Sequence, residues 1–307
     1  MAAVPRTAVA QGLTFNSGQL VSPAFEGWRN SRDGGFIFTF GYMNRNWEEQ
    51  PDVPVGSQNG FSPGPADRGQ PTHFLPRRNR FVFEVEVPAD FGDSELVWTL
   101  TVHGEERKAF ASLRQDYFLD NNVIMSETGT LGAGTSDPEL RAHTAPVLEL
   151  EMETVIDARV GQPVTLSALV TDDGLPKRGG TGVFGGARSL PINDDGTLNL
   201  RRAMNPPARI TVEKVNGLHL TWFVYRGPAN SEPSFSPIQI ESWEDTRPYS
   251  NSPWSPSWIA PELPEDGRWI TEVTFHEPGT YILQGRADDG GLFTDRQITI
   301  RVSRPVL

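Results

Sequence analysis

The chain contains no cysteine. Disulfide frameworks, thiolate metal sites and cysteine nucleophiles are therefore excluded together. Long apolar runs are also missing: nothing approaches the ~20 residues that a membrane-crossing helix needs, so no helical membrane insertion is expected. Basic residues are few relative to acids, with 27 Lys and Arg against 39 Asp and Glu and a formal net charge of −12. Such a surface repels phosphate backbones and anionic lipid, which argues against nucleic acid as a partner. A divalent cation or a neutral polymer suits it better. No long amphipathic repeat of helical period can be traced.

Glycine and proline are abundant, at 30 and 26 in 307 residues. That balance fits many short strands joined by turns, in a chain long enough for two domains with separate cores. The clearest pattern is "GTYILQGRADDGGLFTDRQITIRV", residues 279–302. Tyr281, Leu283, Gly285 and Ala287 fall on one face, and Ile282, Gln284 and Arg286 on the other. Ile298, Ile300 and Val302 alternate in the same way after Asp-Asp-Gly-Gly. Two runs of period 2 around residues that tolerate positive φ predict an antiparallel hairpin.

Upstream, "GRWITEVTFHEPGTY" predicts a further strand through Trp269, Thr271, Val273 and Phe275, ending at a Glu-Pro-Gly corner. "GLHLTWFVYRGP" and "GQPVTLSALVTDDGLP" predict two more, the latter through Val164, Leu166, Ala168 and Val170. A Tyr just after a Pro-Gly corner, a Trp on an earlier strand and this strand order resemble immunoglobulin-like and PKD-like modules of bacterial exported proteins. The resemblance covers most of residues 147–307. It implies that Tyr281 forms a tyrosine corner, that Trp222 is the buried strand C tryptophan and that Leu283 fills the position of a core cysteine. Long insertions near 176–208 and 226–265 depart from the plain pattern.

The first half is equally rich in strand signals: "GGFIFTFGYMNRN", "RFVFEVEVP", "ELVWTLTVHG" and "ERKAFASL". Phe81, Phe83, Val85 and Val87 alternate with Val82, Glu84 and Glu86, as a half-buried strand would. A hairpin is expected at His103-Gly104-Glu105, and "SETGTLGAGTSDPE" reads as a linker. The expected fold class is all-β, two immunoglobulin-like sandwiches with long loop insertions. Residues 1–11 would be a signal-peptide remnant or a disordered tail, on the strength of Ala8-Val9-Ala10 before Gln11. Residues 12–145 and 146–307 would be the two domains. "FGYMNRNWEE", "GQPTHFLPRRNRFVF" and "NSPWSPSW" strengthen a likeness to two-module exported proteins of environmental bacteria.

Three stretches carry candidate chemistry. In an immunoglobulin-like sandwich strands B and F end on the same side, which brings Asp172 and Asp173 towards Asp288 and Asp289, with Asp295 nearby. Either these acids supply hard oxygen ligands for Ca2+, or they are turn formers that cap local amides. The loop "ESWEDTRPYSNSPWSPSWIAPELPEDGRW" holds Trp243, Tyr249, Trp254 and Trp258. Its rings either fold back as a plug or form a platform for polysaccharide or a protein partner. Finally, the loop from Asn44 to Phe74 is long for a compact domain. Asn44, Asn46, Glu48, Glu49 and Asp52 could take a cation, and Trp47 and Phe61 could pack or contact a partner, or the loop could simply cross between sheets with its amides satisfied internally.

Catalytic signatures are absent. The five histidines, at 73, 103, 143, 219 and 276, occur singly, without a zinc-type pairing. No G-x-S-x-G elbow is present, and "GGTGVFGG" at 179–186 lacks the Lys-Ser/Thr of a phosphate loop. The expectation is a non-enzymatic protein, secreted, periplasmic or on a bacterial surface. It would act by self-association or by binding another surface protein, with Ca2+ as a stabilising ion. Polysaccharide binding through Trp254 and Trp258 is the alternative, and a secreted hydrolase follows after that.

Overall fold

Alternating apolar side chains become strands almost throughout. The computed structural model describes residues 15–128, 138–176, 197, 217–243 and 262–304. The first module contains β1 (Val21–Asn30), β2 (Phe36–Asn44), β3 (Asn59–Ser62), β4 (Arg77–Val87), β5 (Leu96–Val102) and β6 (Glu105–Ala111). One antiparallel sheet has the order β1-β2-β4 and the other β3-β5-β6. Leu96, Trp98, Leu100 and Val102 are buried while the residues between them are half-buried, so β5 keeps a strict period of 2. Its hairpin turns at His103 and Gly104, with φ of 51° and 79°. Two consecutive left-handed residues match the right-handed twist of the flanking strands.

Aromatic rings fill the space between the sheets. Phe40 stacks on Phe83 at 5.4 Å and Phe61 on Trp98 at 5.9 Å, while Phe83 meets Trp98 edge-on at 5.0 Å. The long connection from β2 to β4 includes β3 and satisfies its own amides, as one of the two sequence readings required. Asn44 donates to Glu49 O and Phe74 O, Asn59 donates to Val53 O and Pro71 O, and Trp98 Nε1 donates to Asn59 Oδ1. Both asparagines are fully buried, so these bonds offset a desolvation cost that would otherwise unfold the loop.

Two features of this module lie outside the sequence reading. Strand β1, which it does not name, has no clean alternation, because Pro23 lies in it and a bulge falls between Phe25 and Gly27. It is tolerated at the sheet edge, where proline removes no interior ladder bond. In β4 the register against β2 jumps, Phe40 facing Phe83 but Tyr42 facing Asn79. The extra residues form a bulge in which Phe81 has φ of 51°. Phe81 thus leaves the row of Phe83, Val85 and Val87, and its ring stacks on Phe293 of the second module.

The second module contains β7 (Val147–Leu150), β8 (Val155–Arg159), β9 (Pro163–Thr171), β10 (His219–Arg226), β11 (Ser234–Ser236), β12 (Arg268–Thr274), β13 (Gly279–Asp288) and β14 (Phe293–Ser303). Its sheets run β7-β9-β12-β11 and β10-β13-β14-β8, the β14–β8 pair being parallel. This is the immunoglobulin arrangement, with strands A, B, E and D against C, F, G and the second half of A. Tyr281 donates to Glu277 O at 2.8 Å, the tyrosine corner. Trp222 is buried in the core, and Gly285 makes room for it: a Cβ there would lie 2.8 Å from the indole.

Between the modules runs a connector with a 3-10 turn (Gln115–Tyr117), α1 (Asn121–Glu127) and α2 (Pro138–Arg141). Asp120 caps α1 by accepting from Val123 N at 2.8 Å. Met125 on α1 is fully buried against Leu292 of the β13–β14 turn, with Leu140 and Ala145 packed beside them. The connector therefore lies against the second module's loop end.

Candidate functional site

The β10-β13-β14 sheet carries a second apolar and polar set on its outer face: Phe223, Tyr225, Ile282, Gln284 and Arg286. Sequence alternation assigns such a face to solvent. Instead it meets the first module, and Tyr225 belongs to that module's core cluster with Phe223 and Ile282 packed on it. Strand β13 is consequently buried on both faces over Leu283 to Asp288.

Polar bonds run the length of this seam. Tyr225 donates its hydroxyl to Gly69 O, and its backbone carbonyl accepts from Thr72 N at 3.1 Å. Arg226 donates to Gln70 O at 2.8 Å and pairs with Asp67 at 2.8 Å. Asn230 N donates to Asp52, which also pairs with His73 at 2.8 Å. Further along, Gln284 donates to Val82 O at 3.3 Å and to Asp295 at 2.9 Å. Arg286 donates to Phe81 O and to both oxygens of Asp295, each at 2.8 Å, and its guanidinium lies 4.1 Å from the centre of the Phe293 ring. Burial opposes the charge of Arg286, but the Asp295 carboxylate raises its pKa, so it is charged at any ordinary pH. The left-handed Phe81 is held where its carbonyl meets this cation, a strained backbone stabilised by the neighbouring module.

A second constellation sits at the ends of β9 and β13. His143, whose side chain is fully buried, places Nδ1 3.0 Å from Asp173 Oδ1 and Nε2 3.1 Å from Asp289 Oδ2. Thr144 donates its N–H and its hydroxyl to Asp173 Oδ2. Asp172 accepts from Gly174 N, Asp288 from Gly290 N, and Asp289 from Gly291 N and Leu292 N. Burial raises the pKa of Asp289 and of Asp172. For Asp173 burial is outweighed by the Thr144 amide, His143 and the Leu175 amide, and its pKa falls. His143 is pulled down by burial but lifted further by Asp289 and Asp173, and its pKa ends above the ordinary value.

The acids of the B and F strand ends do come together, as Asp172, Asp173 and Asp289 show. Asp173 and Asp289 meet an imidazole from the connector, which sequence spacing gives no reason to expect. Asp295 lies apart, committed to Arg286. Among the described residues no group of three or more His, Asp or Glu side chains is placed to hold a metal ion. Trp47 is half-buried under the Arg77 guanidinium, 3.9 Å from its ring centre, and Trp243 is half-buried. Tyr249, Trp254 and Trp258 lie outside the described residues, as do residues 1–11 and "GGTGVFGG". Ser234 Oγ and His276 Nε2 stand 2.7 Å apart, yet both are exposed, Ser234 on the short strand β11 and His276 just beyond β12. Among the described residues no carboxylate pairs with that imidazole, so the arrangement lacks the third group that orients a catalytic base.

No protein-family model matches the chain, and no curated protein sequence matches it. Several solved structures align with it. The C-terminal domain of ZirS is 16% identical, over 58% of this chain and 75% of its own, with a TM-score of 0.22. Domains 4 and 5 of the S-layer protein SbsC are 8% identical over 92% of this chain and 98% of theirs, at 0.21. Fibronectin(III)-like modules of Clostridium thermocellum CbhA are 8% identical over 93% and 95%, at 0.22. Superpositions this loose carry no argument; the assignment of an immunoglobulin-like sandwich rests on the strand order above.

Proposed function

We propose that the chain is a non-catalytic protein of the bacterial cell surface or extracellular space, which associates with copies of itself or with another surface protein. The observation that carries this reading is the seam. Modules in one chain ordinarily move relative to one another unless a large, apolar interface joins them. Here a sheet buried on both faces, a buried ion pair and a shared aromatic core join the two sandwiches. Such a joint suits a part whose task is to hold surfaces at a set spacing. The acidic composition and the lack, among the described residues, of a third group to orient the exposed Ser234–His276 pair favour binding over turnover.

Ca2+ enters this reading as a variable to be tested. The loop-end carboxylates already accept from His143, Thr144 and backbone amides, so a cation would have to displace those donors. The experiment is solution mass by light scattering over a concentration series, in calcium and then in chelator. Growth into oligomers or fibres is the expected result, and calcium dependence would make the ion a component of the assembly. A monomer at every concentration in both buffers defeats the assembly reading.

A further inference from the structure

The seam does not close everywhere. Between the outer face of β1-β2-β4, helix α1 and the outer face of β13-β14 it leaves a cleft of about 510 Å3. That lies within the range of roughly 300–1,000 Å3 typical of small-molecule sites. Deep in it sits Thr39, only 3% exposed, whose hydroxyl has no hydrogen-bond partner among the described residues. A buried hydroxyl without a partner carries a desolvation cost that a bound group would relieve.

We propose that this cleft binds a neutral saccharide. Its acids are already compensated: Arg29 Nη2 lies 2.9 Å from both Glu84 oxygens, and Asp295 is held from behind the wall by Arg286 at 2.8 Å. With both carboxylates met, the lining offers no free acid to a cation and only the exposed Arg296 to an anion, so its buried part suits an uncharged ligand. Planar carboxylate, amide and guanidinium groups together donate and accept in pairs, as adjacent ring hydroxyls require. Gln284 and Gln297 add amides to the same wall, joined by a 2.8 Å bond that fixes their orientation. Leu119 and Ile124 supply an apolar wall from the connector, suited to the C–H face of a sugar ring. The site is independent of whether the protein assembles.

Titration calorimetry of the full chain with maltotriose, cellotriose and chitotriose, against trigalacturonate as the charged comparison, tests this. At least one neutral trisaccharide should bind with a Kd of about 1 mM or tighter. Thr39→Val, which keeps the shape and removes the hydroxyl, should weaken it about tenfold without lowering the melting temperature. Glu84→Gln should weaken it as well. The assignment is overturned if no neutral trisaccharide binds or if trigalacturonate is preferred. It is equally overturned if binding survives Thr39→Val but is lost in Trp254→Ala/Trp258→Ala, which would place the ligand on the tryptophan loop.

Discussion

His143 shows how one side chain can tie three segments together. It comes from the connector, and its two nitrogens reach the ends of β9 and β13. Removing it as His143→Ala would leave Asp289 buried without its countercharge, a loss of about 3–5 kcal/mol. The pH dependence has a definite sign. Burial alone would depress the imidazole, but Asp289 and Asp173 lift its folded pKa above 6.5. The stability it brings is full below pH 6.5 and is lost as the pH rises through the raised folded value. Asp289 has its own window, which opens lower: burial lifts its pKa above 3.8, so the stability linked to its protonated form is full below pH 3.8 and is lost as the pH rises through the raised folded value. The difference in melting temperature between the parent and His143→Gln should therefore be larger near pH ~6 than near pH ~9. An unchanging difference would mean that the imidazole is held neutral. Gly285 is a second single-residue test. Gly285→Ala would drive a methyl against the Trp222 ring and should cost about 1–3 kcal/mol, measured by urea denaturation.

At the level of elements, legibility followed from which faces are buried. Strands β9, β12 and β14 and the β5–β6 hairpin have a solvated side, so their composition alternates and their positions could be read directly. The tyrosine corner and Trp222 were legible because each needs a particular residue type beside a particular turn or strand. Strand β1 was not, since Pro23 and its bulge erase the period. The β4 bulge was hidden for a different reason. Phe81 is apolar and in phase with Phe83, and only its left-handed backbone diverts it towards Phe293. His143 gave no local signal either, because its partners are about 30 and 146 residues away in sequence and only the fold unites them. Self-sufficient amides in the long loop are one of the two readings that its sequence allows. The β5–β6 turn gives this scale its prediction. Gly104 has φ of 79° with open space where a Cβ would point, so Gly104→Ala should suffer backbone strain alone, about 1–2 kcal/mol, seen as a drop in melting temperature without loss of strand content by circular dichroism.

For the whole molecule, the question is whether two sandwiches behave as one cooperative unit. Arg286 and Asp295 decide it, because they link the sheet of one module to the β4 carbonyls of the other. Arg286 is 6% exposed, and its charge is compensated by Asp295 and by the carbonyls of Phe81 and Arg80. Arg286→Met would leave Asp295 without its cation and the carbonyls without their donor. Breaking one half of a buried pair in this way costs about 3–5 kcal/mol, and here the loss falls on the joint as well as on the second module. The parent should unfold in a single calorimetric transition, with calorimetric and van't Hoff enthalpies equal. Arg286→Met should show two, the lower belonging to the second module, whose sheet has lost its covering. Arg286→Met combined with Asp295→Leu should recover part of the lost stability, since no buried charge remains uncompensated. Two transitions in the parent itself would mean that the modules fold independently and that the seam docks them without coupling them. The fixed geometry on which the proposed surface role depends would then be lost, whereas a single transition that divides only when Arg286 is removed would assign that geometry to this ion pair.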